Sequence, residues 1–140
     1  MDIYHYDQWR TEFNSLNYKE YFYNSNGVKL CYYSNIHDKR ETLFLIHGFS
    51  ANKHWWDFCL PKLVDQYNVI AVDLCGMGNS DHLKEYHPLE VTRHIYQFLQ
   101  SFNLKKFQYT NEINYGMHSI LEFETFIDDI SVNGVDMIEW

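Results

Sequence analysis

The sequence predicts an α/β domain: a mostly parallel sheet with an N-terminal hairpin and flanking helices. Two observations carry this. The runs TLFLIHGF (42–49) and NVIAVD (68–73) are almost continuously apolar, as strands covered on both faces are. Each is followed by a stretch with helical spacing, and strand–helix alternation builds a parallel sheet with right-handed crossovers.

The elements follow in order. Residues 2–16 space Ile3, Tyr6, Trp9, Phe13 and Leu16 three or four apart, which predicts a helix. The aromatic and β-branched runs YKEYFY (18–23) and VKLCYYSNI (28–36) flank Asn24-Ser25-Asn26-Gly27, whose Asn-Gly pair tolerates the positive φ of a tight turn; this is a hairpin. After the charged loop HDKRE comes the strand 42–49. Residues 52–67 carry Trp55, Trp56, Phe58, Leu60 and Leu63 at roughly helical spacing, with Pro61 as a kink or a break between two helical pieces. The strand 68–73 and the glycine-bearing loop LCGMGNSD come next. Residues 88–102 place Leu89, Val91, Ile95, Phe98 and Leu99 largely on one face, an amphipathic helix. A strand KKFQYT, a helix YGMHSILEFETFI and a last strand GVDMIEW complete the pattern, with helices of 10–16 residues expected throughout.

Composition narrows the function classes. A chain of 140 residues suits one domain, and 46% hydrophobic with 19% aromatic residues excludes a disordered chain. A net charge of −8, with no basic cluster beyond Lys105-Lys106, leaves no footprint for nucleic acid or an anionic membrane. No apolar run reaches the ~18 residues of a spanning helix, and MDIYHYDQWR lacks the order of a signal peptide, so a cytoplasmic location is expected. Cys31, Cys59 and Cys75 fit neither a disulfide framework nor a CxxC site. The histidines are scattered, and His87 and His94 miss i, i+4 spacing, so neither a metal nor any other cofactor is expected.

Two loops carry chemical information, and both follow a buried strand, where open α/β sheets gather their ligand sites. In His47-Gly48-Phe49-Ser50 the glycine permits a sharp turn that can aim the next backbone N–H at developing negative charge; a plain strand-ending turn explains the dipeptide equally well. In the loop Asp73 to Ser80, Gly76-x-Gly78 hints at a dinucleotide loop, but the third glycine falls at Asp81, a carboxylate facing a pyrophosphate. Side-chain-to-backbone bonds from Asp73 and Ser80 are the preferred role there.

Together, the HG dipeptide and DLCGMGNSD (the pattern DxxGxGxS), each on the end of its own strand, resemble the α/β-hydrolase family over residues 18–140, with 1–17 as a helical segment in front. The resemblance implies a nucleophile elbow GxSxG after KKFQYT and an oxyanion site from the backbone N–H groups of Phe49 and Tyr115. Laying Gly116 on the last glycine of that pattern gives Glu112-Ile113-Asn114-Tyr115-Gly116 and puts Asn114 at the serine position. An amide has no hydroxyl or thiol for a base to activate, and Glu112 crowds the place of the first glycine. Registers with Ser119 or Glu112 as nucleophile lack both glycines. The family's acid and histidine follow later strands, and no histidine follows His118. The expectation is a truncated hydrolase fold without its triad and without normal ester or acyl hydrolysis. The alternatives are a weak hydrolase using the residual oxyanion site, and a module binding a small apolar or ester-like ligand or a protein. Self-association through the apolar edge of GVDMIEW is also expected.

Overall fold

The computed structural model describes residues 3–36, 40–48, 50–102, 106–111 and 136–139. Helix α1 (Ile3–Ser15) precedes strands β1 (Glu20–Ser25), β2 (Val28–Asn35) and β3 (Thr42–Ile46). A 3-10 turn (Lys53–Trp56) and helix α2 (Leu60–Val64) lead to β4 (Asn68–Val72), α3 (Pro88–Ser101), β5 (Lys106–Asn111) and β6 (Asp136–Glu139). The strands form one sheet in the order β1-β2-β4-β3-β5-β6. β1–β2 and β2–β4 pair antiparallel, and β3 pairs parallel with both β4 and β5, as β5 does with β6. The architecture is therefore α/β with a mixed sheet and an antiparallel N-terminal hairpin. Asn26 and Gly27 turn the hairpin at φ 52° and 91°.

The apolar runs of β3 and β4 are explained by the two cores. Phe44, Ile46, Ile70 and Val72 point to one face and pack with Ile95 and Phe98 of α3. Leu43, Leu45, Val69 and Ala71 point to the other and pack with Leu60 and Val64 of α2, with Phe13 of α1 against them. Every residue of β3 and β4 is buried, so neither strand has a polar face to show in its sequence.

Of the two forms expected for 52–67, the break between two helical pieces is the one found, not the kinked helix, but Pro61 is not the break itself: it sits in the first turn of α2, where its missing N–H has no helical partner to lose. The 3-10 turn before it is a separate piece, capped by Asn52, whose side chain accepts from His54 N at 2.9 Å. Helix α2 has only five residues, below the expected range of helix lengths. The expected helix YGMHSILEFETFI lies outside the described residues. β6 occupies an end of the sheet, the place of the expected open edge. No described helix is long and apolar enough to cross a membrane.

Candidate functional site

Strands β3 and β4 run side by side and finish together, with Ile46 opposite Val72. Their two following loops therefore leave the sheet at the same end. The first turns tightly: Gly48 O accepts from Ala51 N at 3.2 Å, and Ser50 adopts φ 63°. The second is organised around a carboxylate. Asp73 has no exposed surface, and its Oδ1 accepts from Lys53 N at 2.7 Å while Oδ2 accepts from Lys53 Nζ at 2.8 Å and Asn79 N at 3.0 Å. Buried charge is tolerated only when paired and hydrogen-bonded, and Asp73 is both.

Lys53 completes the network. Its ammonium also meets Glu20 Oε1 at 2.7 Å, and only 1% of the side chain is exposed. Burial alone would lower its pKa, but the hydrogen bonds to Asp73 and Glu20 outweigh this and hold it above the usual lysine value. The Lys53 hydrogen bond in turn holds the Glu20 carboxyl below the ordinary range. Asn79 Nδ2 donates to both Glu20 oxygens, at 3.0 and 3.1 Å, so β1, the 3-10 turn and the loop after β4 meet at one ion cluster.

Ser80 closes the same loop onto the sheet. Its Oγ donates to Asp73 O at 2.7 Å and accepts from Cys31 N at 2.8 Å. His47, without exposed surface, joins the two loops: Nε2 accepts from Leu74 N at 3.0 Å, and Nδ1 lies 2.7 Å from Gly48 O. Burial keeps its pKa below the ordinary histidine value. Between the loops opens a cleft of about 720 Å³, walled by Ser50–Asn52 on one side and Cys75–Gly78 on the other, with His82 and Tyr86 at its rim. Burial pushes the Cys75 thiol up to about 12, so it stands in the wall as an un-ionised thiol and not as a nucleophile.

Residues 41–109 match the family model of the alpha/beta hydrolase fold. Over this part the chain has the α/β-hydrolase fold. Among curated relatives, epoxide hydrolase 3 of Mus musculus is 34% identical over 61 residues, covering 44% of this chain and 17% of its own length. The pimeloyl-[acyl-carrier protein] methyl ester esterase of Neisseria meningitidis serogroup B is 37% identical over 49 residues, or 35% of this chain and 19% of the esterase. The crystal structure of wild-type Cfl2 from Burkholderia cenocepacia superposes with a TM-score of 0.70 at 22% identity, covering 87% of this chain and 40% of Cfl2. The chain thus spans under a fifth of the length of these two relatives.

Within this partial α/β-hydrolase fold, the structure brings His47, Gly48, Asp73, Gly76, Gly78 and Ser80 together at one end of the sheet. Phe49, Asn114, Tyr115 and Gly116 lie outside the described residues. β5 does end at the same level, with Asn111 opposite Ile46, so the chain leaves it three residues before Asn114 beside the loop after β3. Sequence reasoning missed Lys53, Glu20, Asn79 and Tyr86. A lysine inside an aromatic run gives no sign that it is buried. The only available signal was Asp73 itself, a carboxylate ending a fully buried strand and so in need of a cation. Among the described residues no group of three or more His, Cys, Asp or Glu side chains could hold a metal.

Proposed function

We propose that this chain is an α/β-hydrolase-fold protein that does not hydrolyse esters through an acyl-enzyme. The observation that carries the reading is the amide of Asn114 in the serine position of the elbow pattern. The polar groups near the predicted oxyanion loop support it. His47 uses both ring nitrogens on backbone groups, Ser80 Oγ donates to Asp73 O and accepts from Cys31 N of β2, and Asp73 holds three donors. His47 has no ring nitrogen free and Ser80 no proton free, and the buried Asp73 is engaged by three donors that hold the loop, so all three serve structure and none is set against a nucleophile. The test is incubation with a fluorophosphonate probe followed by intact-mass spectrometry. No adduct is expected, and a stoichiometric adduct, wherever peptide mapping places it, would overturn the reading.

The cleft favours a second role, the binding of a small neutral ligand of ester-like polarity. Among the described residues its lining offers apolar surface from Ala51, Met77 and Tyr86 with hydroxyl and amide groups from Ser50 and Asn52, and no carboxylate, lysine or arginine. Ligand-induced amide shifts at 50–52 and 75–78 on titration with a short-chain ester are expected. Shifts spread over the surface would argue against a site.

A further inference from the structure

Besides the Lys53–Asp73 pair, a hydrogen bond from Leu74 N joins the two loops behind the cleft, and it ends on a titratable nitrogen. A backbone N–H only donates and a carbonyl oxygen only accepts, so the ring of His47 has one neutral form that satisfies both neighbours. Nδ1 carries the proton and gives it to Gly48 O, while Nε2 keeps the lone pair that accepts from Leu74 N. A second proton would set Nε2–H against the Leu74 N–H, two donors facing at 3.0 Å, in a place with no solvent to take either.

The geometry points to His47 as a proton-operated latch: neutral, it holds the loop after β3 against the loop after β4; doubly protonated, it lets the two loops part. Two charged groups act on the ring. Asp73 at the end of β4 favours the cation, and Lys53 on the 3-10 turn opposes it. These two are bonded to each other, and Lys53 is shared with Glu20 of β1, so their influences largely offset and desolvation dominates. Because Ser50–Asn52 and Cys75–Gly78 are the opposing walls of the cleft, the protonation state of this ring acts on its width at the strand ends, while the Lys53–Asp73 pair holds the far end of the first loop in place. The latch stands on these two hydrogen bonds and is independent of whether the chain turns over an ester.

The experiment uses the whole chain labelled with ¹⁵N, read by long-range ¹H–¹⁵N correlations of the histidine rings and by amide exchange between pH 8 and pH 5. His47 is expected in the Nδ1–H form at pH 8. As Nε2 takes its proton, below the ordinary histidine value of about 6.5, protection of the Leu74 amide should drop at least about tenfold relative to the β4 amides. Gly48 and Ser50 should shift with the same midpoint. His47→Gln keeps an acceptor without titrating, and its Leu74 profile should be flat. The inference is overturned if His47 titrates while Leu74 is unmoved, if Nε2 carries the proton at pH 8, or if the glutamine variant still titrates at Leu74. Loss of all amides in a single step with His47 protonation also overturns it, because the loops would then have no motion of their own. Should the variant fail to fold, the wild-type titration alone decides.

Discussion

Gly78 and Gly76 stand two residues apart in one loop with φ of 53° and 75°, yet their substitution should differ in cost. An alanine at either position carries a left-handed penalty of roughly 1–2 kcal/mol. At Gly78 the new Cβ would also run into the Asp73 carboxylate, which is buried and fixed by three donors. At Gly76 it would meet the ring and hydroxyl of Tyr86, which is 52% exposed and, among the described residues, held by Leu83 N and His82 Nδ1. Tyr86 can swing away; Asp73 cannot without breaking the Lys53 pair. Gly78→Ala should therefore cost about 3–5 kcal/mol, the range for breaking a buried ion pair, against about 1–2 for Gly76→Ala, by urea denaturation. Equal costs, or the reverse order, would remove the carboxylate cradle as the reason for this glycine. The sequence pattern revealed that the loop needs glycines. What each glycine accommodates depends on Tyr86 and Asp73, which only the fold brings near.

Strands β3 and β4 and helix α3 were legible because burial writes a regular pattern into each, and the hairpin because its Asn-Gly pair marks the turn between two aromatic and β-branched runs. The contacts between elements were not. Ser25 in β1, His94 and Gln97 in α3 read as polar residues of a solvated surface, yet Ser25 has no exposed surface and His94 only 8%. Ser25 Oγ donates to Gln97 Oε1 at 2.8 Å and lies 2.7 Å from His94 Nδ1. With the serine's single proton given to Gln97, His94 Nδ1 must carry its own and donate to Ser25. Ser25→Ala would strand that N–H in a buried position, while Gln97 is exposed and can turn to water. The expected cost is about 1–3 kcal/mol, concentrated where the hairpin meets α3. Amide exchange should quicken at the β1–β2 tip and leave β3 and β4 unchanged. A uniform acceleration across the sheet would show that this contact does not fasten the hairpin separately.

At the scale of the whole molecule, the fold was readable from strand–helix alternation, and two motif loops located one end of the sheet. The rest of the predicted site, Asn114 to Gly116, lies outside the described residues, and the elbow expected there is a kind of tight turn that no periodicity encodes. The buried ion cluster was equally hidden, since Glu20, Lys53 and the loop that carries Asp73 and Asn79 lie far apart in the chain and meet only through the sheet order. The same burial determines how the molecule responds to acid. His47 and His94 are both held below the ordinary histidine value by desolvation, so the unfolded chain binds protons that the folded chain refuses. Their contribution is complete above about pH 6.5 and is lost as pH falls through the lowered folded values. Glu20, lowered by its bond from Lys53, adds a second loss in stronger acid, below the ordinary carboxylate range. Asp57, raised by burial, acts with the opposite sign, and its gain comes just above the ordinary carboxylate range, before that second loss begins. The urea midpoint should thus be flat from pH 8 to about 6.5 and then decline. Replacing His47 and His94 together by Gln should remove the decline between about pH 6.5 and 5 while leaving the steeper acid limb. A wild-type midpoint that rises on acidification to pH 5, or a double variant that keeps the first limb, would mean that these two rings are not what ties stability to protons.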